Sequence, residues 1–228
     1  MTTTWAQVHG MPHPLILALS QIGRRNPARA AARIARLLND ARATDLRLRS
    51  DLHALLAEVL YQAGDLNGAL DAGSMAAEAA AAVTPRDWPR LTTALLVGAD
   101  LAFCARHPSS IDACTSAFNA IAYQDDPDPE LAAIAAALHA AAVHHADADQ
   151  GYHRLQVLHR RAAPDSLLEL MLATGLAAMR GEPTGPRHGR PVPLPGAVLR
   201  PRLDKTTTGW LADRITTRPA RPPAVIPR

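Results

Sequence analysis

Apolar residues recur every three or four positions along most of the chain, which is the spacing that places side chains on one face of an α-helix. These stretches alternate with short segments rich in proline, glycine, serine and aspartate, which typically end or cap helices. No stretch makes a credible strand. The pattern therefore predicts about nine helices between residues 15 and 180 and an all-α fold.

Several predicted helices have recognisable start and stop signals. Asn26 and Asp128 each precede a proline, so each is expected to cap a helix whose first position is that proline. Ser166 stands three residues before a glutamate, which is the spacing of a capping box. By similar reasoning, we expect Ser50 to cap the helix that follows it and Gly23 to end the first helix.

Residues 50–83 contain a pattern that is typical of a helical repeat. Small residues let two paired helices approach closely, and glycine permits a tight turn between them. The positions of this pattern are Ala57 and Tyr61 in the first helix, Gly64-Asp65 at the turn, and Ala69 and Ala76 in the second helix. The pattern resembles the tetratricopeptide repeat, and weaker matches begin near residues 9, 94 and 132.

This resemblance implies a fold and a function. The implied fold is a right-handed stack of antiparallel helix hairpins, a TPR-like α-solenoid over residues 15–180, with an all-α bundle without repeats as the alternative. Such a stack leaves a groove along the first helix of each pair. The implied function is that of a non-enzymatic adaptor or regulatory scaffold that binds a protein or peptide. The corresponding groove residues are polar positions of the first helices: His53, Gln62, Asp100 and His139.

Composition narrows the fold class and the source. The chain has 47 alanines and only 4% aromatic residues, which favours helices and argues against a β-sandwich or barrel. It has 23 arginines but a single lysine, a bias that favours a GC-rich bacterial genome. The cysteines, Cys104 and Cys114, are too few for a disulfide framework, so we expect buried, reduced thiols.

Charge is unevenly distributed along the chain. Residues 24–49 contain eight arginines and two aspartates, whereas residues 50–149 contain three arginines and fourteen acidic residues. Four of the arginines are expected to form a basic stripe, opposite the apolar face of their helix. The simpler interpretation of this stripe is a solvated helix face, or a face that pairs with the acidic middle within or between subunits. Binding of an acidic partner or of phosphates is the alternative, and it supports a second hypothesis, a nucleic-acid-associated protein. The stripe consists of Arg25, Arg29, Arg33 and Arg36.

The two ends of the chain differ from its helical middle. Residues 1–14 are predicted to be a loose lead-in. Residues 181–228 contain ten of the nineteen prolines, so we expect an extended or disordered Pro/Arg-rich tail. In this tail, Arg187 and Arg190 belong to a sequence that resembles an AT-hook, a minor-groove DNA-binding element. Trp210 forms a small apolar island with two nearby residues, and this island either docks on the helical domain or on a partner, or stays loose.

The last predicted helix, over residues 165–180, is apolar almost all around. Such a helix needs to be covered. Three coverings are possible: the tail, a second copy of the chain in a homodimer through this helix, or another partner.

The sequence contains little that favours catalysis. No phosphate-binding loop or serine nucleophile elbow is present, so we expect no enzyme activity and no cofactor. Five histidines between residues 139 and 159 are possible metal ligands, but their spacing favours structural roles. The chain has no recognisable secretory signal or membrane span, which favours a cytoplasmic protein.

Overall fold

The computed structural model describes residues 14–40, 45–105, 107–184 and 209–216. All regular secondary structure in these ranges is helical, which confirms the prediction of an all-α fold. The helices are α1 (Pro14–Arg25), α2 (Pro27–Asn39), α3 (Leu46–Ala63), α4 (Leu66–Ala81), α5 (Trp88–Cys104), α6 (Ser110–Ala122), α7 (Pro129–Ala146), α8 (Ala148–Arg161), α9 (Leu167–Met179) and α10 (Trp210–Thr216).

Local hydrogen bonds explain where several helices begin. The side chain of Asn26 accepts a hydrogen bond from the backbone N–H of Arg29 at 3.0 Å, and Asp128 accepts two such bonds at the start of α7. The Ser166 hydroxyl accepts one from the N–H of Glu169 at 3.1 Å. These bonds satisfy N–H groups that the first helical turn leaves without partners, and they confirm the three predicted caps.

Two sequence-based predictions about helix ends are wrong. Helix α3 begins before Ser50 because Asp45 caps it, and the Ser50 hydroxyl instead donates to the carbonyl of Ala76 in α4 at 3.0 Å. Gly23 lies buried inside α1. A Cβ atom at Gly23 would lie 2.8 Å from a methyl group of Val59, so this glycine allows α1 and α3 to approach closely.

Consecutive helices pack against each other, a pattern that is compatible with a helical repeat. We call α1, α3, α5, α7 and α9 the first helices, and α2, α4, α6 and α8 the second helices. The first helices also contact one another in chain order. The alanines of the repeat-like segment, Ala57, Ala69 and Ala76, are all buried. Gly64 ends α3 in the left-handed conformation, with φ of 95°.

The C-terminal part of the chain contains a helix where an extended tail was expected. Helix α10 packs against α7 and α9 and joins the largest apolar cluster, which runs from α5 to α9. Helix α10 covers part of α9. Of the tail, a second copy of the chain and another partner, the structure therefore describes the tail as a cover for this helix. In the described ranges, no helix has both the length and the apolar character needed to cross a bilayer.

Candidate helix-binding surface

Helix α10 lies on a surface that three first helices build. We call this the α10-binding surface, and its central residues are Asp100 of α5, His145 of α7 and Gly175 of α9. The surface brings together residues that are up to 75 positions apart in the sequence, because the first helices contact one another in succession. It is therefore a product of helix stacking rather than of any local motif.

Asp100 anchors α10 through both carboxylate oxygens. The Arg214 guanidinium donates to Oδ1 at 2.7 Å through Nε and to Oδ2 at 3.2 Å through Nη2. The Trp210 indole N–H also donates to Oδ1, at 2.7 Å. Because Trp210 and Arg214 are four residues apart, they lie on the same face of α10, and the guanidinium also lies 5.6 Å from the centre of the Trp210 ring.

The pair formed by Asp100 and Arg214 is removed from water. Arg214 is 0% exposed and Asp100 is 2% exposed. Burial, the largest single influence, lowers the pKa of Arg214, but the charge of Asp100, its hydrogen bond and other nearby groups together outweigh burial, so the net pKa is raised and the guanidinium stays charged. A buried charge needs such a partner, and a fork-like guanidinium is well matched to a carboxylate.

The rest of the surface is apolar and shaped by a glycine. A Cβ atom at Gly175 would lie 2.6 Å from Cδ2 of Leu211, so the missing side chain leaves room for Leu211 against the backbone of α9. At the other end of α10, Nε2 of His145 lies 3.2 Å from the carbonyl oxygen of Arg214. The surface therefore recognises a helix by both shape and charge.

The four predicted groove residues do not form one open groove. Asp100 lies beneath the chain's own α10, and His53 is buried in α3. His139 is half-buried, stacks on Phe118 with ring centres 4.5 Å apart and contacts Arg154. Gln62 is exposed at the end of α3, where it donates to Glu58.

Burial of His53 makes stability depend on pH. Burial, followed by the nearby charge of Arg49, lowers the pKa of His53 in the folded chain below its ordinary value of 6.5. The unfolded chain therefore binds more protons as the pH falls through about 6.5, and stability falls with it.

We expect His53→Gln to reduce the loss of stability between pH 7.5 and 5.5 in urea denaturation. His139 contributes in the same direction, because burial also lowers its pKa, so part of the slope should remain. His153→Gln, at an exposed position of α8, is the matched control. An unchanged slope in His53→Gln would contradict the assignment.

The cysteines are free and buried, as expected from the sequence. Burial raises the pKa of the Cys104 thiol to about 12 and that of Cys114 well above its ordinary value. Because the thiolate is the reactive form, we expect neither cysteine to react with a thiol reagent at pH 8 in the folded chain. Both should react after denaturation in urea, and rapid reaction of the native protein would contradict this.

The arginines of the predicted basic stripe lie away from the α10-binding surface, on α1 and α2. Arg29, Arg33 and Arg36 are exposed on α2, opposite its buried residues, and Arg25 is exposed at the end of α1. Arg187 and Arg190 lie outside the described residues, as does the lead-in up to residue 13.

The histidine-rich segment is divided among different contacts. His144 lies by the carbonyl of Ala148, and His159 pairs with Glu169 at 3.1 Å. Within the described ranges, no group of three or more His, Cys, Asp or Glu side chains is placed to hold a metal ion.

A cleft of about 700 Å³ lies away from the α10-binding surface, between α4, α5 and α6. Small residues line it where α4 approaches α5, because a Cβ atom at Gly73 would lie 3.4 Å from the Cα atom of Gly98. Polar residues of its rim include Asp71, Glu78 and Ser116. No cluster in this cleft indicates a reaction.

The sequence did not single out Arg214 or His145 as binding residues. The available signal for Arg214 was its position four residues after Trp210 in a short apolar segment. His145 is one of the five histidines that the sequence offered as metal ligands, but its contact with the carbonyl of Arg214 depends on the tertiary structure.

Comparison of the chain with protein-family models, with curated proteins and with solved structures found no significant match. Its function is therefore inferred from its own residues and contacts.

Proposed function

We propose that this chain is a non-enzymatic, TPR-like adaptor or regulatory scaffold, in a bacterial cytoplasm, that binds a protein or peptide along its first helices. One observation supports this proposal above the others: the first helices α5, α7 and α9 already hold a short helix, α10, by a buried carboxylate and an apolar surface. A surface that holds one helix in this way has the shape and chemistry needed to bind another.

Photo-crosslinking in the source cell tests the proposal. A photoreactive amino acid replaces Gln62, an exposed residue of first helix α3, or Met75, an exposed residue of second helix α4. We expect a defined protein adduct from position 62 and none from position 75. Adducts from position 75 alone, or from neither position, would contradict binding along the first helices.

The exposed arginines of α2 support a second candidate, association with nucleic acid. Each phosphate contact contributes about 0.9 to the slope of log affinity against log salt concentration. If Arg29, Arg33 and Arg36 contact phosphates, then changing all three to glutamine lowers this slope for duplex DNA by about 3. Absence of DNA binding by the unmodified chain at low salt would exclude this candidate.

A further inference from the structure

We infer that the α10-binding surface accepts a partner helix with tryptophan at one position, leucine next to it and arginine four residues after the tryptophan, and that α10 is an internal competitor for this partner. The inference rests on the proposed function and specifies its ligand. The partner would place the same groups on Asp100 and beside Gly175 as Trp210, Arg214 and Leu211 do within the chain.

The first argument is that α10 owes its structure to docking. It has only seven residues, and five of them are buried: Trp210, Leu211, Ala212, Arg214 and Ile215. An isolated helix of this length is unstable in water. Its helical form therefore depends on the surface, as is typical of a short peptide that folds when it binds.

The second argument is the choice of residues at the centre of the contact. A segment that only covered α9 would need apolar side chains, and these pack at least as favourably as a buried ion pair. The contact is instead centred on Asp100, which takes three hydrogen bonds from Trp210 and Arg214. Such a carboxylate selects a ligand that has both an N–H donor and a cation, because an apolar ligand would leave its charge buried and uncompensated.

The third argument is that α10 is joined to α9 through residues 185–208. Docking within one chain corresponds to an effective concentration on the order of millimolar. A partner helix with the same contacts must therefore displace α10, and weakening α10 should increase the affinity of the surface for the partner.

The test uses the full chain and a labelled synthetic peptide that covers residues 205–218. Fluorescence anisotropy measures its binding to the unmodified chain and to Arg214→Ala, which weakens α10 but keeps Asp100. We expect the peptide to bind Arg214→Ala at least 10-fold more tightly. Thr216→Ala, at an exposed residue of α10, is the matched control and should bind like the unmodified chain.

Specificity is tested from both sides of the contact. Adding Asp100→Asn to the Arg214→Ala chain should weaken peptide binding at least 10-fold, and so should a peptide with alanine in place of the arginine. If the Arg214→Ala chain keeps its helical circular dichroism but binds the peptide no more tightly than the unmodified chain does, α10 is a fixed part of the core and the inference is overturned.

A second measurement does not depend on any change in α10. A protease site introduced between residues 190 and 200 allows the tail to be cut while both sides of the contact stay unchanged. We expect the labelled peptide to replace the released tail fragment. If the tail fragment stays bound in the presence of excess peptide, the inference that a partner helix displaces α10 is overturned. Crosslinks from position 62 would still support the proposed adaptor function in that case.

Discussion

Replacing Asp100 with alanine is expected to destabilise the chain more than any other single change considered for this protein. The substitution leaves the Arg214 guanidinium, which is 0% exposed, without its carboxylate. Breaking a buried pair in this way costs about 3–5 kcal/mol. The loss of stability cannot exceed the free energy with which α10 docks. If α10 detaches, Arg214 is hydrated again and its charge is no longer buried.

Two measurements separate these outcomes. Denaturation followed by circular dichroism gives the free energy of unfolding, and a red shift of tryptophan emission reports the exposure of Trp210, which is 3% exposed in the folded chain. Asp71→Ala, at an exposed residue of α4, is the matched control and should change stability by less than about 0.5 kcal/mol. Equal effects of the two substitutions would contradict the buried pair.

The pair can also be replaced rather than broken. Changing Asp100 to leucine and Arg214 to methionine together removes both charges. We expect this double variant to be more stable than the sum of the two single changes indicates, because neither charge remains buried alone. Additive effects would show that the two side chains do not interact.

Gly151→Ala is expected to have the second largest effect, because it overpacks the contact between α7 and α8. A Cβ atom at Gly151 would lie 2.4 Å from the backbone N and Cα of His144, and backbone atoms cannot rotate away as a side chain can. Overpacking of this kind costs about 1–3 kcal/mol, and the improved helix propensity of alanine offsets only part of that loss.

Gly98→Ala is the matched control for this substitution. Gly98 also lies within a helix, but nothing lies within 4 Å of its added Cβ atom. Alanine should therefore stabilise α5 by about 0.5–1 kcal/mol. The two variants should have opposite signs in urea denaturation, and stabilisation by both would show that α7 and α8 can separate without cost.

Much of the α10-binding surface lay outside what residue spacing can predict. Asp100 was selected as a polar position of a first helix, and its ligand was expected to come from another protein. The structure pairs it with Arg214, 114 residues away. Spacing along one helix cannot indicate which distant element approaches its face. The sequence therefore predicted that Asp100 binds a ligand but did not identify α10 as that ligand.

The same distinction explains the helix ends. Asn26, Asp128 and Ser166 were predicted correctly, because a cap is a hydrogen bond within three residues. Ser50 has the composition of a cap, but its hydroxyl bonds to α4, 26 residues away. The tertiary structure decides whether such a hydroxyl accepts from a local N–H group or donates to a distant carbonyl.

The sequence by itself determined that this protein is helical, where three of its helices begin, and which alanines lie between paired helices. These properties depend on hydrogen bonds between residues three or four apart and on side-chain size. Only the tertiary structure decided that Trp210 and Arg214 bind Asp100 and that α10 covers three first helices, because these contacts join distant parts of the chain and depend on how the hairpins stack.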